Sequence, residues 1–388
     1  MRQRTTGLLA ALLAAGMAAT ACGGGSGSTT KVLQAVGDGE GALSLIAWNG
    51  YVESGKNDPA YDWVTQFEKD TNCKVSVKYA DTSDEMVTLM RSGGGKLYDG
   101  VSASGDASNR LIAGGDVAAI NTDLIQGFSD ISPKLQSPPH NTVKGVHYGV
   151  SYMWGANVLM YNTKQVSPAP TSWRAVFEDA GKYSGKLTAY DSPIYIADAA
   201  LYLKATQPDL GITDPYELTP KQLDAAVNLL KEQHKNVKKY WSLYSDEIDT
   251  FKSGDVIMGT AWPYQVNALK DDNQPVDAVL PAEGATGWAD TWMMSSKAPH
   301  PNCMYKWMSW ATTPEVQKQV AEWFGASPAN AKTCDLLGQE FCDNYHVTDQ
   351  AYFDKVAFWK TPLKDCGDGR KECTDYSTWT QKWTEVKG

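Results

Sequence analysis

The first clear pattern along the chain is short and apolar. Leu43-Ser44-Leu45-Ile46-Ala47-Trp48 reads as a buried strand, and Asn49-Gly50-Tyr51 supplies the turn after it. Asp58-Pro59 is a helix-opening pair, which predicts a helix from there with Trp63 and Phe67 on one face. Lys74 to Tyr79 alternates, so Val75, Val77 and Tyr79 share one side of a strand. A helix through Met86 and Leu89 follows and stops at Gly93-Gly94-Gly95. Strand, helix, strand, helix is the order that builds a parallel sheet covered by helices, so the fold class is α/β.

The same pattern returns in mid-chain. Leu187 to Tyr190 predicts a strand, with helix after Asp191. Thr219-Pro220-Lys221-Gln222 is a capping box with Pro at the first helical position. Leu223, Val227, Leu230, His234 and Val237 then fall on one face at a period of about 3.6. On that stripe His234 reads as a core or boundary residue rather than a ligand. Val256-Ile257-Met258-Gly259 reads as another buried strand, ending near Trp262. Thr313-Pro314-Glu315 opens a helix that Gly325 stops, with Val316, Val320, Trp323 and Phe324 expected inside. From Cys334 to Gly388 the chain is turn-rich.

The N-terminus has a different grammar. Arg2 and Arg4 precede a short apolar core, Leu8 to Ala19, and Ala19-Thr20-Ala21 offers small residues directly before Cys22. This is the layout of a signal peptide over 1–21, too short to span a bilayer comfortably. Small residues before Cys22 also resemble a bacterial lipobox, in which that thiol is acylated and becomes the new N-terminus. Ala19 stands where the lipobox has Leu, and the segment equally satisfies the plain A-x-A cleavage rule, so secretion without lipid remains open. Gly23 to Thr30 is Gly/Ser/Thr-rich, consistent with a flexible tether over 22–40. Without Cys22, six cysteines remain, an even set suited to an oxidising compartment. Sequence proximity suggests Cys334 with Cys342 and Cys366 with Cys373, leaving Cys73 with Cys303, one of the 15 pairings that six cysteines allow.

Composition narrows the function classes. At 388 residues the chain is long enough for two lobes. Its net charge of −10, with no long Lys/Arg run, argues against nucleic acid, because phosphates need a basic stripe. A negative protein suits a cationic solute. Fourteen tryptophans are many for this length; most are expected as core and surface aromatics and a minority to line a site, since Trp offers its face to apolar or cationic groups. Gly93-Gly94-Gly95-Lys96 lacks both the upstream Gly and the Ser/Thr of a phosphate loop. The chain has no H-E-x-x-H, G-x-S-x-G or EF-hand pattern, and its five histidines are scattered. No metal, cofactor or catalytic residue is expected.

Several segments in fixed order carry a resemblance. Trp48-Asn49-Gly50-Tyr51 stands after the first strand, and Asp84-Glu85-Met86 precedes the glycines and Tyr98-Asp99. Tyr152-Met153-Trp154-Gly155 leads to Tyr161-Asn162. Trp262, Trp288-Ala289-Asp290, Phe324-Gly325 and Pro328-Ala329-Asn330 follow. Together they resemble the spermidine/putrescine-binding family of ABC importers, from about Leu43 to the C-terminal region. The resemblance implies a two-lobed periplasmic-binding-protein fold of class II topology with the ligand in the cleft between lobes. Lobe one is then 41–153 plus 289–327, and lobe two 154–288 plus 328–388. It also implies a monomer held outside the cell membrane by its N-terminal lipid, with an ABC permease and its ATPase as partners.

Site residues follow from the same resemblance. Trp48 and Tyr51 match the family's aromatic wall, and Ser104 its small polar contact. Trp262 and Trp288 match the aromatics that sandwich the aliphatic chain, and Asp290 the carboxylate that pairs with the ammonium. Such a group needs a counter-charge and hydrogen bonds once desolvated, and Trp faces add cation–π attraction. Asp191 also matches, but the acid expected three positions later is Ile194. Asp106 replaces a family aromatic and Lys360 a family glutamine. A lysine in the pocket would favour a carboxylate at the far end, hence a monoamine or ω-amino acid. Asp106 in place of Ile194's missing charge would restore a polyamine such as putrescine or spermidine. A binding module for sugars and an enzyme on the same scaffold are the competing readings.

Overall fold

The computed structural model describes residues 32–367, 369–370 and 372–388. The expected signal peptide, Cys22 and the glycine-rich stretch to Thr30 lie outside them. Two sheets organise the rest. The first has seven strands. Ala42–Ala47 lies between Lys74–Tyr79 and Gly100–Ala103, parallel to both. The long strand Ala285–Met294 joins Gly100–Ala103 to Val150–Ala156, antiparallel to each. Ser327–Pro328 and Val356–Phe358 complete this sheet. The second has five strands, in the order Val276–Val279, Val158–Asn162, Met258–Ala261, Leu187–Tyr190, Val237–Trp241.

The fold is a bilobal α/β one, and the chain passes between sheets several times. Val150–Ala156 runs through Asn157 into Val158–Asn162, and the return lies between Val279 and Ala285. Because Ser327–Pro328 and Val356–Phe358 both pair in the first sheet, the last passage comes after Phe358, later than the expected boundary at 328. The terminal helix Tyr376–Lys387 then packs on Pro220–His234, beneath the second sheet's side of the molecule. Sequence gave no sign of that last helix, whose twelve residues follow a disulfide-stapled turn.

Most expected elements form where local chemistry demands them. Lys74–Tyr79 alternates exposed and half-buried positions. Thr219 and Gln222 make the reciprocal capping box, and Gly325 ends Pro314–Phe324 in the left-handed region at φ 67°. Two expectations need correction. The first helix starts at Val64, not near Asp58, because Asp58 closes a local turn onto the Ala60 amide and Ser54 pairs with Asp62 as extended chain. Pro220–His234 stops before Val237, which opens the strand Val237–Trp241. His234 is half-buried and stacks on Tyr240.

Cys73–Cys303, Cys334–Cys342 and Cys366–Cys373 are disulfide-bonded. The first joins residues 230 apart in sequence and ties the start of Lys74–Tyr79 to the helix Pro301–Ala311. Half of the tryptophans, among them Trp63, Trp292 and Trp307, are fully buried core. No helix of the described residues is long and apolar enough to cross a membrane.

Candidate functional site: an acidic, tryptophan-lined cleft

The cleft is built from strand ends. Trp48, Asp81 and Ser104 each follow the carboxyl end of a parallel strand in the first sheet. Asp191, Ser242 and Trp262 do the same in the second sheet. Side chains beyond such ends converge because the strands run in one direction and the backbone there is released from pairing. Trp288 and Asp290 come instead from the long strand Ala285–Met294, where the register slips: Ala289 faces Trp154, but Thr291 faces Ser151. Tyr152 and Met153 thus stand opposite the single Asp290, and such a bulge re-aims side chains. Gly155 makes room for Trp288, since a Cβ there would lie 2.7 Å from the indole ring.

The central compartment opens to solvent. Trp48, Trp262, Trp288, Phe324 and Trp359 wall it, with Asp290 and Ser104 at its floor. The indoles are locked by one another: Trp262 meets Trp241 edge-on at 5.0 Å and Trp288 at 6.2 Å. Asp290 is only 2% exposed. Its carboxylate accepts hydrogen bonds from the Tyr51 hydroxyl at 2.6 Å and from the Ser104 hydroxyl. Burial nevertheless dominates and pushes its pKa up to about 7, against the lowering effect of those hydroxyls. No cation pairs with it among the described residues.

A second compartment adjoins the first and shares Trp48, Asp81, Ser242, Trp262 and Trp359 with it. It adds three carboxylates, Asp84, Asp106 and Asp191. Two of these are already neutralised: Asp84 pairs with Arg110, and Asp191 accepts from Lys387 Nζ at 2.7 and 2.8 Å and from Trp383 Nε1. Asp106 is 1% exposed and accepts from Ser83, with burial raising its pKa and nearby Arg110 opposing that. Asp81 stands exposed where the compartments meet, its carboxylate free of hydrogen bond or ion pair among the described residues. Among those residues no Lys, Arg or His lines either compartment.

Trp48, Ser104, Trp262, Trp288 and Asp290 therefore meet in one cavity, with Asp106 and Asp191 in its neighbour. Tyr51 is placed differently from expectation. It is fully buried behind Asp290, so it positions the carboxylate rather than forming a wall. Lys360 requires a correction as well. Its ammonium is bound by Asp214 at 2.7 Å and by Glu217 at 2.5 Å, away from both compartments. Its neighbour Trp359 takes the cleft position instead; Trp359's carbonyl lies so close to Gly105 that a Cβ there would be 1.7 Å from it. Ile194 is wholly buried and lines neither compartment.

Sequence reasoning missed Asp81, Ser242, Phe324 and Trp359. Asp81 and Ser242 carried a usable signal, because each follows a strand end as Trp48 and Ser104 do. Phe324 and Trp359 carried none, since tertiary packing alone brings them in. Phe324 was expected in the core with Trp323, yet both are half-buried.

A family model described as bacterial extracellular solute-binding protein matches residues 62–344. The spermidine/putrescine-binding periplasmic protein of Escherichia coli K12 is 25% identical over 327 residues, covering 84% of this chain and 88% of that protein. A γ-aminobutyric acid-binding protein of Pseudomonas aeruginosa is 23% identical over 265 residues, covering 64% and 72%. Among solved structures, a putative spermidine/putrescine ABC transporter protein from Listeria monocytogenes superposes with a TM-score of 0.72 at 18% identity, covering 89% of this chain and 99% of that one.

Proposed function

The chain belongs to the family of bacterial extracellular solute-binding proteins, and we propose that its cleft captures a small polyamine for an ABC importer. One observation carries this reading. Among the described residues Asp290 is buried with two hydroxyl donors and no cation, at the floor of a cleft lined by carboxylates and indoles and by no basic residue. A buried carboxylate without a counter-charge is costly, and a ligand ammonium supplies that charge. Trp48, Trp262 and Trp288 flank the aliphatic chain and add cation–π attraction.

The far end of the ligand decides between a polyamine and an ω-amino acid. The case for a carboxylate there rested on Lys360, whose ammonium is bound to Asp214 and Glu217. The neighbouring compartment offers Asp81 and Asp106 instead, which suits a second ammonium. The named relatives, for spermidine/putrescine and for γ-aminobutyrate, bracket these two choices. In this reading the two sheets form lobes that close on the ligand. The loaded monomer then docks on a permease coupled to an ATPase, and Cys22 carries the lipid that keeps the protein on the outer face of the membrane. Catalysis has no part in it.

Calorimetric titration of the full chain with putrescine, spermidine and γ-aminobutyrate tests the proposal. Putrescine or spermidine should bind at least about tenfold more tightly than γ-aminobutyrate. Tighter γ-aminobutyrate binding would reverse the assignment of the far end, and no heat from any of the three would remove the amine reading.

A further inference from the structure

The central compartment also continues into a third, open to solvent and lined by none of the acids of the second. It shares Asn49, Tyr244, Trp262 and Phe324 with the centre and adds Tyr264 and Trp323. All five of its rings are half-buried. Tyr264 lies nearly parallel to Phe324, at 6.2 Å and 26°, and meets Tyr244 edge-on at 4.9 Å. The remaining lining is the uncharged Asn49, Gly50 and Asn57. Glu53, whose carboxylate accepts from the Asn57 amide, is buried and does not line the chamber. A contiguous set of half-exposed rings beside a binding cleft marks a place where an apolar group is received.

We propose that this chamber receives an uncharged aromatic ring carried by the same ligand whose ammonium sits on Asp290. The proposal rests on the amine reading above and extends it. A second ammonium would find no carboxylate among the described residues that line this chamber to offset the hydration it gives up. A ring would find stacked and edge-on partners of the kind aromatic side chains offer each other. The two ends are mechanically linked: the Tyr51 ring packs on Phe324 at 4.6 Å, and its hydroxyl holds Asp290 at 2.6 Å. The cleft then accepts a second ammonium in the compartment of Asp81 and Asp106 and an aryl group in this one. Arylalkylamines and aryl-substituted polyamines become the ligand class.

The test uses butylamine and 4-phenylbutylamine, which differ only by the ring, with putrescine as the control, each titrated into the full chain. The phenyl group should tighten binding at least about tenfold. Trp323→Ala and Tyr264→Ala should each cut that gain below about threefold while putrescine affinity stays within about twofold. Thermal melts establish that each variant folds, and Trp323→Leu and Tyr264→Leu stand in for any that does not. No gain from the phenyl group, or a gain that survives both substitutions, overturns the proposal. If butylamine and putrescine still bind in that case and Asp290→Asn abolishes them, the amine reading survives alone. If no amine binds, both fall.

Discussion

Replacing Asp290 by Asn should act in opposite directions on the empty and the loaded protein. In the empty cleft the carboxylate is buried, and its pKa rises from the ordinary 3.8 to about 7. At about 1.4 kcal/mol per pKa unit, that is on the order of 4 kcal/mol of difference between its protonation states. The folded state thus holds a proton that the unfolded state has released between about pH 4 and 7. Unfolding free energy from this group falls as pH climbs through that window and levels off above it. Asn has the same shape and no charge. It keeps an acceptor for one of the two hydroxyls, so part of the gain is lost to a weakened hydrogen bond. We expect empty Asp290→Asn protein to be about 1–3 kcal/mol more stable than the parent at pH 8, a rise of roughly 2–6 °C in Tm, and nearly equal to it at pH 4. Binding should move the other way. Removing one partner of a desolvated charge pair costs about 2–5 kcal/mol, at least about thirtyfold in putrescine Kd. Calorimetric melts at pH 4 and 8, with and without putrescine, read both effects together. If the empty variant is less stable than the parent at pH 8, or binds putrescine as well as the parent does, Asp290 is not the uncompensated charge of the cleft.

The same ionisation governs the pH dependence of uptake. Because the amine requires ionised Asp290, affinity should fall about tenfold per unit as pH drops below about 7. Near neutrality, binding should release protons, visible as a dependence of the calorimetric heat on buffer. A flat profile between pH 5 and 8 would contradict the raised pKa. Asp81→Asn should weaken putrescine by about 0.5–1.5 kcal/mol, given its exposure, and leave butylamine unchanged; equal losses for both amines would remove the second-ammonium role. Lys360→Met should leave amine affinity within about twofold. It should lower stability by about 1–2 kcal/mol, because Asp214 and Glu217 then face each other without their cation. A large affinity loss in a folded Lys360→Met protein would restore Lys360 to the site.

The elements legible in the sequence were those set by short-range chemistry. Capping at Thr219 and Thr313, alternation over Lys74–Tyr79 and the left-handed stop at Gly325 depend on neighbours within a turn, so the chain states them directly. The first helix was misplaced because an isolated bridge between Ser54 and Asp62 holds Asp58 and its neighbours out of helical geometry. That Trp48, Ser104, Trp262 and Asp290 gather in one cleft was legible too. Trp48, Ser104 and Trp262 follow strand ends, and Asp290 lies next to Trp288 in a segment that resembles a known family.

The far end of the cleft was not legible, for a physical reason. Whether Lys360 or Trp359 enters the cleft depends on which side of the strand Val356–Phe358 continues inward, and on Asp214 and Glu217 lying where they can take the ammonium. Those acids are more than a hundred residues away in sequence. Phe324 and Trp323 look like core at helical spacing, and only the packing of Pro314–Phe324 beside the cleft leaves their rings half-exposed. Sequence by itself determined an α/β fold with an acidic, tryptophan-rich composition, since strand order, capping and charge are local or additive properties. Tertiary structure alone decided which charges remain uncompensated there: Asp84, Asp191 and Lys360 are neutralised by partners remote in sequence, while Asp290 and Asp81 keep no cationic partner among the described residues.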